Sequence, residues 1–271
     1  MNSKVSYSRW SEAHKSFLKS LSDKNIVMLF SGGKDSSLAM DLISRAGKEF
    51  GFDFEAHAGA FPVHRYTEPE KKRIESYWGK RDIKIFWHKL AETDDQLGNA
   101  ENPCLPCQKL RKKMLSTLLS EMVDDWKSLV LIVSYSLWDI VSYSIENVLT
   151  DVFVDFKNEK RAEKNRRFLE TGQRFYPILR MKGGYTIFRP LIACNGHDIL
   201  EMLGKSGIPS LSIPCKFSEF RPKRILEKYY EKMGMSFDYS RVFDFAKESL
   251  NLPDLSSYTS MEKEEYLLHL F

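Results

Sequence analysis

Two short stretches of this chain carry residue types that do chemistry rather than packing. The first is Ser31-Gly32-Gly33-Lys34-Asp35-Ser36, set between an apolar run, Asn25–Phe30, and a helical pattern from Ser36 to Ala46. Two glycines let the backbone approach a ligand closely and turn successive N–H groups toward it. The positive end of the following helix stabilises an anion at the same place. Lys34 adds a point charge, Ser31 and Ser36 add hydroxyls, and Asp35 is a carboxylate of the kind that holds magnesium. A Walker loop is excluded, because it needs four residues between its glycines and a Ser or Thr after the Lys. An ordinary capped turn also accommodates Gly-Gly-Lys-Asp, but that composition is unusual at a strand-to-helix junction. The residues read as a phosphate-binding loop.

The second stretch is Pro103-Cys104-Leu105-Pro106-Cys107, a Cys-x-x-Cys at the end of the polar loop that starts at Glu92, immediately before a helix over Leu110–Met122. Two intervening residues let both thiolates reach one ion. The helix start and the cations Lys109, Arg111, Lys112 and Lys113 are expected to lower the thiol pKa. Cys215, in Ile213-Pro214-Cys215, is a distant third candidate and Cys194 a fourth. Four cysteines in 271 residues are too few for a disulfide framework, and their arrangement suits a metal site in a reducing compartment. Taken alone, the motif fits a redox dithiol, half a zinc site, part of an iron–sulfur cluster, or simply buried small side chains.

The elements that must position these residues alternate. Asn25–Phe30, Phe54–Val63, Ile83–His88 and Leu129–Ser134 read as strands, with helices after the phosphate loop, over Glu68–Gly79, over Leu110–Met122 and through about Leu149. That order implies a parallel sheet with right-handed crossovers, an α/β fold. Before it, residues 1–24 hold a short amphipathic helix with Trp10, Phe17, Leu18 and Leu21 turned inward. After Thr150, Met181-Lys182-Gly183-Gly184 reads as a hairpin turn and Thr186–Leu191 as one more strand. A short helix from His197 follows, with a mainly helical tail over 216–271. The C-terminal third reads as an appendage to the first sheet rather than a second core.

Composition sets the bounds. The chain is 42% hydrophobic and 29% charged, enough for a sizeable core and incompatible with disorder. A net charge of +4 is too small to establish a nucleic-acid partner. Clusters at Lys109–Lys113, Lys157–Arg167 and Arg221–Arg224, with Phe168, Phe220, Tyr229 and Tyr230 nearby, are either solvated helix faces or an RNA surface. No apolar run approaches the roughly 20 residues of a membrane helix. A soluble, cytoplasmic chain is expected.

The loop resembles that of the PP-loop (N-type) ATP pyrophosphatases, Ser-Gly-Gly-x-Asp-Ser. The resemblance implies a Rossmann-like sheet, ATP and Mg2+ as ligands, and adenylation with release of pyrophosphate. It further implies that Ala60, Phe61 and Pro62, ending the second strand, lie against the adenine. Within that class the chain is similar to the tRNA 2-thiocytidine synthetases. The similarity rests on Cys104-x-x-Cys107 before a Leu-Arg helix, Arg189-Pro190-Leu191, Asp198-Ile199 and Ile213-Pro214-Cys215, in that order, over about residues 25–215. It implies that Cys104, Cys107 and Cys215 hold a 4Fe-4S cluster with one iron open, where sulfide would sit and attack an adenylated base. The implied partners are a tRNA and a sulfur donor such as a cysteine desulfurase or free sulfide, and a homodimer is one assembly that the resemblance admits.

Two departures stand out. Where that family has a His-rich stretch ending in two aspartates, this chain reads Ser134-Tyr135-Ser136-Leu137-Trp138-Asp139. Asp139 alone remains, either for magnesium or pyrophosphate or as a helix cap. After Ile-Pro-Cys the family has a second Cys and a Gly, and this chain has Lys216–Arg221. The rival reading is a PP-loop ligase or sulfonucleotide-type reductase with a structural zinc. A third is a nucleotide-binding regulator without turnover.

Overall fold

The computed structural model describes residues 5–153 and 168–267, without the side chains of 150–153. Six strands form one sheet: β1 (Asn25–Leu29), β2 (Glu55–Gly59), β3 (Ile85–His88), β4 (Leu129–Ile132), β5 (Ile178–Arg180) and β6 (Thr186–Phe188), in the spatial order β3-β2-β1-β4-β6-β5. Every pairing is parallel except β5 with β6, the hairpin through Lys182–Gly184. The main helices are α1 (Tyr7–Leu18), α2 (Lys34–Phe50), α3 (Glu68–Gly79), α4 (Cys104–Met122), α5 (Leu137–Phe153), α6 (Gly196–Ser206), α7 (Pro222–Lys232) and α8 (Tyr239–Ser249). The α/β expectation holds.

Both sheet faces are covered, so the strands read as continuous apolar runs rather than alternating ones. Ile26, Met28, Val130 and Ile132 pack on one side with α1, α2, α3 and α6. Val27, Leu129, Leu131 and Ile187 pack on the other with α4, α5 and the C-terminal helices. Trp10, Phe17, Leu18 and Leu21 are buried as expected. Trp10 also donates its indole N–H to the Pro190 carbonyl at 2.8 Å, tying α1 to the end of β6.

Several boundaries differ from the sequence reading. The second strand stops at Gly59, and Val63–Arg65 is a 3₁₀ turn. The loop after β3 contains a single helical turn, Asp95–Gly98. Helix α4 begins at Cys104 rather than Leu110, so the Cys-x-x-Cys forms its first turn. Pro106 was legible as a loop residue, yet in a first turn its missing N–H costs nothing. The Asn102 side chain accepts the Cys104 N–H at 3.1 Å and starts the helix.

The order of strands creates the site. From β1 the chain runs outward to β2 and β3, then returns to β4 on the other side of β1. In open α/β sheets ligands bind at such a reversal, beyond the carboxyl ends of the strands. The Ser31–Ser36 loop follows β1 there, and the Ser134–Asp139 segment follows β4.

Candidate nucleotide and cysteine site

Gly32 has φ +68°, in the left-handed region, and a Cβ there would lie 2.8 Å from Leu211. The site therefore requires glycine. Gly33 is the N-cap of α2 and supplies no side chain to its first amides, which leaves that helix end to an incoming anion. Ser31 and Ser36 hold the turn: their hydroxyls are 3.1 Å apart, and Ser36 also donates to the Gly33 carbonyl at 3.1 Å. Two residues outside the motif brace it. Tyr66 donates its hydroxyl to the Ser31 carbonyl at 3.1 Å, and the Leu211 N–H donates to the Gly32 carbonyl at 2.6 Å.

Lys34 grips the Asp35 carboxylate at 2.7 and 2.9 Å and lies 3.7 Å from Glu227. Burial alone would raise the Asp35 pKa, but Lys34, then Lys223 and Arg224, hold it below the ordinary range. Of the roles open to Asp139, the geometry displays the cap. One carboxylate oxygen accepts from the Ser136 N–H at 2.7 Å and from its hydroxyl at 3.0 Å. The other pairs with Lys223, and Asp139 is fully buried. Burial pushes the Lys223 ammonium down to about 8, against the pull of Glu227. Lys223, Arg224 and Glu227 come from α7, a helix that sequence reasoning treated only as basic.

Ala60 and Phe61 are buried at the end of β2. The Ala60 amide is taken by the His88 carbonyl at 2.8 Å, and the Phe61–Pro62 peptide is cis.

Two segments carry the three candidate cysteines: the first turn of α4 holds Cys104 and Cys107, and the Cys215 segment packs beside it through Phe217. Among the described residues, no three His, Cys, Asp or Glu side chains are close enough to hold one metal ion. All are free thiols, half-buried. Cys215 nevertheless acts electrostatically on both Cys104 and Cys107. Three thiols are a donor set that either an iron–sulfur cluster or a zinc ion takes. Contrary to the sequence expectation, burial pushes the Cys104 and Cys107 thiols up, and Arg221 and Arg111 reverse that only in part. Cys194 lies elsewhere, within the field of Asp198 and Asp35, and burial raises its thiol to about 12.

A support that the sequence did not reveal orders the Cys215 segment. Asp94 accepts the N–H groups of Val63 and His64 and contacts His64 Nδ1 at 2.5 Å. His64 Nε2 accepts the Lys216 N–H at 3.1 Å, so the ring proton sits on Nδ1. Arg65 donates to the Ile213 carbonyl at 3.2 Å, and the Cys104 thiol points at the Phe217 carbonyl at 3.9 Å. Leu211 rests on Gly32 and Cys215 follows four residues later. The phosphate loop and the cysteines are thus joined by no more than about 14 Å of chain. The basic run Lys157–Arg167 lies outside the described residues.

No family model matches the chain, and no curated protein matches its sequence. Its structure is similar to that of a U34-tRNA thiolase, NcsA, from Methanococcus maripaludis with its [4Fe-4S] cluster. Identity is 16% and the TM-score 0.59, over 92% of this chain and 81% of the other. It is also similar to an NMN synthetase from Francisella tularensis, at 12% identity and TM-score 0.45, over 90% and 87%. An NH3-dependent NAD synthetase from Campylobacter jejuni subsp. jejuni NCTC 11168 gives 14% and 0.46, over 91% and 94%. At that identity the likeness to the thiolase is one of fold, a Rossmann-like sheet, here with the Ser31–Ser36 loop following β1. No helix of the described residues is long and apolar enough to cross a membrane.

Proposed function

We propose that this protein is an ATP-dependent sulfurtransferase that thiolates a nucleobase in tRNA. The observation that carries the reading is the joining of two sites by one short segment. The glycine loop at the sheet's reversal is braced by Leu211, and beyond it the segment through Cys215 meets the Cys104 thiol, which faces the Phe217 carbonyl at 3.9 Å. The likeness to a tRNA thiolase supports the same reading.

In this reading Gly32, Gly33, Lys34 and Ser36 hold the phosphates of ATP, and Asp35 holds magnesium. Asp139 acts through Lys223. The base carbonyl oxygen attacks the α-phosphate, the bond to the β-phosphate breaks, and pyrophosphate leaves. A sulfur nucleophile then attacks the activated carbon, and the C–O bond breaks with AMP as leaving group. Cys104, Cys107 and Cys215 would hold a 4Fe-4S cluster, which when bound supplies that sulfur in nucleophilic form. The donor upstream is a cysteine desulfurase or free sulfide. Arg65, Arg111 and Arg221 lie near these thiols, giving a tRNA backbone a cationic approach. The site belongs in the cytoplasm, where thiols stay reduced.

The test is mass spectrometry of tRNA nucleosides from a strain lacking the gene. One thiolated nucleoside should disappear and return when the wild-type gene, but not a Lys34→Ala copy, is restored. An unchanged nucleoside profile would remove tRNA from the reading.

A further inference from the structure

Helix α7 brings charge to the phosphate loop from the far end of the chain. Glu227 is buried, and its Oε1 accepts no hydrogen bond while facing Lys34 Nζ at 3.7 Å and Lys223 Nζ at 3.9 Å. Its Oε2 is held by Arg224 at 2.7 Å. Lys223 is itself mostly buried and pairs with Asp139 from α5. Lys34, Lys223 and Arg224 therefore balance Asp35, Asp139 and Glu227, with no net charge beside a loop built to take an anion.

As a stabilising device this is a poor choice. Buried ion pairs pay for desolvation and roughly break even against packed apolar groups, unless their oxygens are fully hydrogen-bonded. Glu227 Oε1 is not. Its place between two ammoniums, too far from either to be bonded, is the arrangement of two cations around one shared anionic oxygen. A nucleotide's phosphates would bring such oxygens to this loop.

Resting on the nucleotide-site reading above, we propose that Lys223 is a second phosphate-binding cation beside Lys34, delivered by the C-terminal helix. Glu227 holds both ammoniums in place until phosphate oxygens displace it. The nucleotide site thus includes residues from the tail beyond Cys215, and Glu227 sets its affinity by competing with the ligand.

The test measures ATP and adenosine binding calorimetrically, adenosine lacking the phosphates. Lys223→Met would leave Asp139 buried and unpaired, so it is placed in the Asp139→Asn background, with thermal unfolding as the check on folding. The double variant should bind ATP about tenfold or more weakly than Asp139→Asn, as for loss of one charge-assisted contact. Adenosine binding should not change. Glu227→Gln should bind ATP about threefold more tightly, because the competing charge is gone. Equal ATP affinity in Asp139→Asn and the folded double variant overturns the proposal. Should the double variant not fold, an unchanged or weakened ATP affinity in Glu227→Gln overturns it. A wild-type chain that binds ATP no better than adenosine overturns the underlying nucleotide reading, and this proposal with it.

Discussion

Lys34 is the side chain on which the nucleotide chemistry depends most directly. Its ammonium is paired with the Asp35 carboxylate at 2.7 Å. With nucleotide bound it would stabilise charge building between the α- and β-phosphates. Lys34→Ala should cost about 10²-fold in ATP–pyrophosphate exchange, the scale of one lost electrostatic group. Because it also leaves the Asp35 carboxylate without its nearest cation, exchange is compared at a temperature where thermal unfolding shows the variant folded. Wild-type exchange in that variant would sink the assignment of the loop. The cysteines make a second residue-level prediction. Cys104→Ser, Cys107→Ser and Cys215→Ser, purified without oxygen, should each lose iron and acid-labile sulfide while still binding ATP. Cys194→Ser should keep both, because its thiol is packed against the core near Asp35 and Asp198, away from the others. Loss of iron from Cys194→Ser would mean four thiolate ligands and no open iron. At this scale the sequence was informative where chemistry is contiguous. Ser31–Ser36 and Cys104–Cys107 declare themselves by spacing alone. Tyr66, His64, Leu211, Lys223 and Glu227 do not, since each acts on residues far away in the chain and has an ordinary local context.

The element that matters most is the β1–loop–α2 unit, and its weak point is the backbone of Gly32. An alanine there must hold a left-handed φ, costing on the order of 1–2 kcal/mol, and its Cβ would press on Leu211 at 2.8 Å. Gly32→Ala should therefore lower urea-unfolding stability by about 2 kcal/mol and weaken ATP binding more than adenosine binding. Adding Leu211→Ala should remove the steric part only. A Gly32→Ala protein as stable as wild type would mean that the loop adopts another backbone path. The same unit shows why elements were easier to read than their ends. Helix α3 ran as expected from Glu68 to Gly79, because Pro69 in the first turn and acidic Glu68 and Glu70 mark its start. Helix α4 began earlier than expected, because two prolines near Cys104 look like loop punctuation when the Asn102 cap is not seen. Close packing explains that placement further. A Cβ on Gly59 would lie 2.0 Å from the end of Met114, so α4 sits hard against β2 and carries its first-turn cysteines to the sheet's carboxyl edge.

For the whole molecule, the packing of three histidines predicts how stability responds to acid. His14 lies between Trp10 and Phe188, with ring centroids 5.3 and 5.2 Å away, where α1 closes over β6. Burial lowers its pKa to about 4. His57 and His88 stack across β2 and β3 with ring nitrogens 2.9 Å apart, and burial lowers both. In the unfolded chain each titrates near 6.5. Between about pH 4 and 6.5 the unfolded state therefore binds protons that the folded state refuses. Stability is complete above that window and is lost as pH falls through it. His14 alone should contribute about 2 kcal/mol of loss between pH 7 and pH 5. Urea unfolding at the two pH values should show the decline, and His14→Phe, which keeps the aromatic packing of α1, should reduce it by about that amount. If wild type and His14→Phe lose the same stability on acidification, His14 is solvated in the folded state, and α1 is not closed over β6 as its contacts with Trp10 and Phe188 require.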